Sequence, residues 1–397
     1  MKLGVVGKPN VGKSTFFKAL TLAPVEIANY PFVTIKPNKG FGHVSLECPE
    51  TKFKLKCQPK HGFCIRGVRF VPVELIDVAG LVPGAHQGKG LGNEFLDDLR
   101  EADALIHVVD VSGSTNEKGE PIPAKSYDPA SDIIFLENEL DMWIFGILKR
   151  GWERFARKVQ QEHLELVQAL LKQLSGLKIT VEVIKSSLEE VGALKIPITE
   201  WDDELLKKIA TKLRESSKPM IIAANKLDVP GAVDNLNALK QRFPKKLIIG
   251  CSAECELALK EAALHSIIQY LPGSSEFELK AAERLTEKQS KALGFIKDFL
   301  TKFKSTGVQE VLNTLVFELL GYIAVFPVAN SKLQDKDGNV LPDCYLVHKD
   351  TIALEFAAIV HSDFAKNFIK AKNILNGKII GKEHKLNHGD VIEIITS

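Results

Sequence analysis

Gly7-Lys8-Pro9-Asn10-Val11-Gly12-Lys13-Ser14 sets two glycines, a lysine and a hydroxyl at G-x-x-x-x-G-K-S spacing, directly after the apolar run Leu3-Gly4-Val5-Val6. Such spacing suits a nucleoside triphosphate. The glycines let the backbone bend so that N–H groups from Gly7, Asn10, Val11, Gly12, Lys13, Ser14 and Thr15 face phosphate oxygens. A helix starting near Lys13 adds the positive end of its dipole. Lys13 is expected to reach the β- and γ-phosphates, and the Ser14 hydroxyl to ligate a magnesium ion bridging them.

Three further segments, in the right order, narrow this to a GTPase. Val73-Glu74-Leu75-Ile76 reads as a strand ending in Asp77-Val78-Ala79-Gly80, a D-x-x-G arrangement. Its carboxylate holds magnesium through water, and the Gly80 N–H meets the γ-phosphate. Later, the buried strand pattern Pro219 to Ala224 delivers Asn225-Lys226-Leu227-Asp228 at its carboxyl end, where open α/β sheets place ligands. The Asp228 carboxylate accepts from both the ring N–H and the exocyclic amine of guanine. Adenine leaves it unpaired, at a loss of ~1–3 kcal/mol or more. Another apolar strand, Lys246 to Gly250, precedes Cys251-Ser252-Ala253-Glu254, whose Ser252-Ala253 backbone is expected to close over the base.

The wording of these motifs resembles the YchF or Obg-like family of translation-factor GTPases. The likeness runs over nearly the whole chain, through Gly4 to Leu20, Asn29 to Asn38, Asp77 to Ala85 and Gly88-Lys89-Gly90-Leu91-Gly92-Asn93. It implies that Asn29 to Asn38 form switch I, with Thr34 joining Ser14 on magnesium, and that Gly84, Gly88, Gly90 and Gly92 belong to switch II. Independently, so glycine-rich a stretch argues for a mobile loop, because glycine has the largest backbone entropy to lose on ordering.

Leu81 follows Gly80 where Ras-type enzymes carry the glutamine that orients the attacking water, and leucine cannot do that. The family resemblance implies instead a histidine on the next strand, aligned with His107 in Ala104 to Asp110. A lone histidine in a buried strand is also read as a hydrogen-bonded core residue, and His86 and Gln87 compete for the hydrolytic role. The resemblance further suggests that Asn10 holds a potassium ion against the phosphates; an asparagine merely shaping the turn is the alternative. Many members of the family have lost N-K-x-D and prefer ATP. This chain retains Asn225, Lys226 and Asp228, so GTP is expected over ATP.

Elements must carry these motifs. At 397 residues and 45% hydrophobic content the chain is globular, with two or three domains expected. The formal charge of +2 excludes a strong polyanion binder as a whole, and no apolar run is long enough for a membrane span. The N-terminus enters a strand at once, so no signal peptide is expected and the location reads as cytoplasmic. The fold class is α/β: a P-loop NTPase G domain with an inserted helical (αα-hairpin) domain and a C-terminal β-grasp TGS domain. The boundaries are 1–115 plus 216–276 for the G domain, 116–215 for the helical insertion, 277–320 for a helical connector and 321–397 for the TGS module.

Within the insertion, helical spacing from about Ala130 to Leu174 predicts two long helices packed as a hairpin, then shorter ones over Thr180 to Val191 and Trp201 to Arg214. Lys149, Arg150, Arg154, Arg157 and Lys158 cluster there, as a phosphate-contacting face or as a solvated one. Phe277 to Leu320 reads as helical. Strands are expected at Ile323 to Val328, Cys344 to Val347 and Gly389 to Ile395, with helices at Ile352 to Ala358 and near Phe364 to Ala371. This last part resembles a TGS module through Ile359 to Asp363, Phe368, Ala371 and Gly389 to Ile392, which in other families accompanies ribosome-directed factors.

All six cysteines suit a reducing compartment. Cys48, Cys57 and Cys64, with His61 among them, offer three thiols and an imidazole for tetrahedral zinc, but their spacing lacks a C-x2-C pair. Free thiols in an insertion are the alternative. The functional expectation is a slow GTPase switch binding GTP and GDP, with Mg2+ and, on the Asn10 reading, K+, and a ribosome or ribosomal subunit as partner. No membrane and no sequence-specific DNA are expected. The alternative is an ATP-hydrolysing or non-ribosomal nucleotide-gated regulatory or scaffold protein.

Overall fold

The computed structural model describes residues 1–23, 38–78 and 98–397. Thr34, Gly80, Leu81, His86, Gln87 and nearly all of both expected switch segments lie outside these residues.

Strand β1 (Lys2–Val6) lies at the centre of the main sheet because nearly every side chain on it is apolar and buried. Helix α1 (Lys13–Thr21) follows it, then β2 (Lys39–Glu47), the short α2 (Glu50–Phe53), β3 (Phe63–Ile65), β4 (Val68–Asp77) and β5 (Ala104–Asp110). After a helical excursion come β6 (Met220–Asn225) and β7 (Ile248–Gly250). The sheet order is β2-β4-β1-β5-β6-β7, with β3 added beside β4. β1 is parallel to β4 and β5, and β5, β6 and β7 are parallel in turn, while β2 and β3 are antiparallel to β4. Both faces of the parallel strands are covered, as near-continuous apolar runs require.

Between β5 and β6 the chain forms α3 (Ala130–Lys149), α4 (Trp152–Gln161), α5 (Leu166–Gln173), α6 (Val181–Glu190) and α7 (Asp203–Ser217). The expected pair of long helices over 130–174 is therefore three. Gly151 turns the chain at φ 69° and His163 at φ 51°, each in the left-handed region that ends a helix. Among these helices α3 is held to α7 instead, through Thr211 Oγ1 donating to Asp141 (2.8 Å) and the Arg214 guanidinium on the same carboxylate. Leu136, Leu140, Ile144, Leu206, Ile209 and Leu213 fill the seam.

Next come α8 (Ala232–Arg242), α9 (Ala253–Leu264), β8 (Ile268–Tyr270), β9 (Phe277–Leu279), α10 (Glu287–Phe303) and α11 (Val308–Asn313). Phe277–Leu279 is a strand paired with β8, so the helix expected from Phe277 begins only at Glu287. There Thr286 and Gln289 form a capping box.

The C-terminal sheet has the order β11-β10-β14-β12-β13, from β10 (Tyr322–Val328), β11 (Tyr345–His348), β12 (Phe368–Asn373), β13 (Ile379–Ile380) and β14 (Val391–Thr396). Helices α12 (Ala353–Val360) and α13 (Ser362–Lys366) accompany it. The helix expected near Phe364 to Ala371 is corrected: it stops at Lys366, and 368–373 pair antiparallel with β14. Pairing with β14 decides this, with Ala371 and Asn373 buried on one face and Lys372 between them part-exposed. Period two also splits β10: Ile323 and Val325 pack under Phe356 of α12, while Ala324 and Phe326 join the core shared with α11 and the main sheet.

Candidate nucleotide site

Register brings the carboxyl ends of the parallel strands to one edge, since Val5 pairs with Asp77, Val6 with His107 and Asp110 with Asn225. Loops leaving that edge wall a cleft of about 470 Å³. Lys8, Pro9, Asn10, Gly12, Lys13, Ser14 and Thr15 form one side; Asn225, Lys226, Asp228, Val229 and Glu254 form the other.

The loop at 7–12 is shaped as its glycines require. Gly12 has φ +90°, and a Cβ there would fall 2.4 Å from the Asn225 amide. A Cβ on Gly7 would meet the Val108 carbonyl oxygen at 2.6 Å. Asn10, at φ 62°, donates from Nδ2 to the Gly119 carbonyl (2.9 Å). Lys8 is buried and donates to Asp132 (2.9 Å) and the Thr115 carbonyl (3.1 Å), with its ammonium 3.9 Å above the Tyr127 ring. Burial pushes the Asp132 carboxyl up, against the pull of Lys8 and of the Tyr127 hydroxyl. Lys13 and Asp77 are in direct ionic contact, which sets the carboxylate beside the first turn of α1, where Ser14 exposes its hydroxyl. Hydroxyl and carboxylate oxygens are a hard donor set of the kind magnesium takes.

Across the cleft, Asn225 is a bridge. Its Nδ2 donates to the Val11 carbonyl (2.9 Å) and its Oδ1 accepts from the Ala253 N–H (2.9 Å), tying the phosphate loop to the start of α9. Lys226, at φ 64°, lays its ammonium 2.9 Å from Asp110. Asp228 is half-buried, lines the cleft, and receives no hydrogen bond among the described residues. Ser252 and Ala253 stand behind this wall. The Ser252 hydroxyl caps α9 by accepting from the Cys255 N–H (3.2 Å), and its own N–H donates to the Thr306 carbonyl (2.9 Å). Both backbone N–H groups expected to close over a base are thus engaged within the protein.

His107 sits among buried residues of β5, and its Nδ1 has no partner among the described residues. Ile106 and Val108 flank it in the core beneath α1, so alternation turns His107 toward the opposite face of the sheet. It does not line the cleft. Burial, followed by the nearby Lys8 and Lys246, lowers its pKa to about 3, so the imidazole is neutral at physiological pH.

Sequence reasoning passed over two residues that organise the site. Asp110 accepts from the Ser112 N–H (3.0 Å), Ser114 Oγ (2.9 Å) and Thr115 Oγ1 (3.0 Å) while holding Lys226. Burial would raise its carboxyl, but Ser112 and Lys226 outweigh that and hold it below the ordinary carboxylate value. A carboxylate closing a buried strand at the ligand edge was the available signal. Asp132 gave none, lying far along the chain from Lys8.

Residues 2–139 match the family described as 50S ribosome-binding GTPase, residues 223–330 the G4 motif-containing domain of Obg-like GTPases of the YGR210 type, and residues 334–396 the TGS domain. An uncharacterized GTP-binding protein of Methanocaldococcus jannaschii is 48% identical over 396 residues, covering 100% of this chain and 99% of that one. A protein of Bacillus subtilis called ribosome-binding ATPase YchF is 28% identical, covering 98% of this chain and 97% of its own. Among solved structures, a GTP-binding protein of Pyrococcus horikoshii superposes with a TM-score of 0.79 at 34% identity, over 100% of both chains. Likeness of this extent, with the phosphate loop, guanine motif and TGS module in the same order, makes the chain a member of the YchF/Obg-like GTPase family.

Proposed function

We propose that this GTP-binding protein is a slow, GTP-selective hydrolase that acts as a nucleotide-dependent switch on the ribosome or one of its subunits. The observation that carries guanine selectivity is the pairing of Asn225, locked between Val11 and Ala253, with an Asp228 carboxylate presented to the cleft without a donor among the described residues. Lys13 leaves Asp77 for the phosphates, and the loop N–H groups hold their oxygens. Ser14, Thr34 and, through water, Asp77 would hold magnesium, which neutralises phosphate charge. Gly80 would report the γ-phosphate, and Asn10 Oδ1 would hold potassium. With leucine at position 81, a neutral imidazole on His107 is proposed to help position the attacking water; its pKa of about 3 and its place outside the cleft oppose a role as the base that takes the proton.

The ribosome reading rests on the likeness to the 50S ribosome-binding GTPase family and to the ribosome-binding ATPase of Bacillus subtilis. The word ATPase in the latter favours adenine as a second reading, and the intact Asn225-Lys226-Leu227-Asp228 opposes it. On the α4 side, Arg157 and Lys158 each stand within ion-pair reach of a helix carboxylate (Glu153 and Glu162), which supports a solvated face for that cluster. Turnover of GTP and ATP, with and without ribosomes in potassium and sodium buffers, combined with co-sedimentation in GTP-analogue and GDP states, tests the proposal. Nucleotide-dependent pelleting and faster GTP turnover with ribosomes are expected. Absence from ribosomal fractions in every state would overturn the ribosomal half.

A further inference from the structure

The geometry points to a structural zinc site in the extension between β2 and β4, ligated by Cys48, Cys57, Cys64 and Glu50. His61, the fourth ligand suggested by the sequence, is exposed and is not part of the cluster. Its place is taken by Glu50, whose carboxylate, with the three sulfurs, gives ligand atoms no more than 4.8 Å from one another.

Each ligand arrives from a different piece of backbone. Cys48 follows β2, and its N–H donates to the Gly67 carbonyl (2.7 Å) at the β3–β4 turn. Cys64 is the middle residue of β3, in register with Arg69 on β4. Glu50 opens α2, and Cys57 lies on the loop after it. Tetrahedral zinc with Zn–S bonds of ~2.3 Å needs sulfurs ~3.8 Å apart. Cys48 and Cys57 Sγ atoms are 3.8 Å apart, and Cys64 Sγ lies 3.2 Å from Glu50 Oε1. The other Glu50 oxygen accepts from the Cys57 N–H (2.7 Å), the kind of outer hydrogen bond that orients a metal ligand. Three thiolates favour zinc over the hard cations that take oxygen alone.

The segment has need of a staple. No residue of α2 is buried, and Lys52, Lys54, Leu55 and Lys56 are all exposed, so apolar packing does little to fix this stretch. Yet it carries the seam to the C-terminal module. Gln58 N–H donates to the Val340 carbonyl (2.8 Å) and Lys60 N–H to the Pro342 carbonyl (2.9 Å). Fully buried Arg69, one strand from Cys64, donates to Leu341 (3.0 Å) and Pro342 (2.8 Å) carbonyls. Zinc at this point fixes the surface on which the TGS module docks.

Full-length protein purified without a histidine tag should carry about one equivalent of zinc by elemental analysis. Cobalt exchanged into it should give thiolate charge-transfer and strong tetrahedral d–d absorption. Thiol titration before and after zinc removal should show three additional reactive cysteines. Cys57→Ser and Cys64→Ser should lose the metal and Glu50→Gln should weaken it on the order of tenfold or more, while His61→Ala leaves it unchanged. If the cysteine variants do not fold, the zinc content and thiol count of the unaltered protein still decide. Iron in place of zinc, a Cys48–Cys57 disulfide, or fewer than a few tenths of an equivalent of any metal with freely titrating thiols would each overturn the assignment.

Discussion

Replacing Asp228 by asparagine isolates the interaction on which base selection is proposed to depend. On the proposed reading two N–H groups of guanine would reach the carboxylate, and each charge-assisted hydrogen bond contributes about 1.5–3 kcal/mol. Asparagine keeps one acceptor, loses the charge, and turns an amide N–H toward the guanine amine. Because Asp228 is half-buried, solvent screens part of this loss. About 2–3 kcal/mol should remain, a rise in Kd of roughly 30- to 150-fold for GTP and GDP. Xanthine nucleotides, which carry a carbonyl where guanine carries the amine, should bind the variant better than they bind the parent. Calorimetric titration with GTP, ATP and XTP measures all three. The Asn225 and Lys226 anchors do not involve the altered atoms, so thermal unfolding should be unchanged. A GTP affinity within threefold of the parent, or ATP binding as tightly as GTP to the parent, would refute the reasoning.

His107→Ala should lower GTP turnover at least tenfold at unchanged GTP affinity; equal turnover would remove His107 from hydrolysis. With its pKa held at about 3, kcat should show no histidine titration between pH 6 and 8. Stability should respond to acid, because His107 and His43 are both lowered from 6.5 to about 3, chiefly by burial. Below pH ~6.5 the unfolded chain binds protons that the native one refuses, so unfolding free energy falls toward pH 3 by ~1.4 kcal/mol per histidine per pH unit. A constant value between pH 7 and 5 in denaturant titrations would contradict this. Lys8→Met strands the buried Asp132 beneath the phosphate loop and should destabilise by about 3–5 kcal/mol, with Lys8→Met/Asp132→Leu recovering much of it. A single variant unfolding within 0.5 kcal/mol of the parent, an order-of-magnitude threshold for a neutral change, would count against it.

The G-x-x-x-x-G-K-S and N-K-x-D motifs were legible because each is written in consecutive residues. Gly12 must turn at positive φ, Lys13 and Ser14 must follow at once, and Asp228 must sit at a strand end, so consecutive residue types suffice. Apolar periodicity likewise disclosed β1, β5 and β6. It failed where neighbours overrode it. Phe368–Asn373 has apolar residues enough for either period, and only pairing with β14 makes it a strand. Helix spacing persists through Gly151, and the break there depends on one backbone angle.

By itself, then, the order of residues determined the GTP-binding family, the mixed α/β class and the succession of G-domain and TGS motifs, because each is written in contiguous side chains and their period. Only tertiary structure decided that Asn225 bridges Val11 and Ala253, that Asp110 seats Lys226, and that Glu50 replaces His61 beside three thiols. Those partners are brought within a few ångströms by sheet register and loop closure, and distance in space leaves no mark on spacing along a chain.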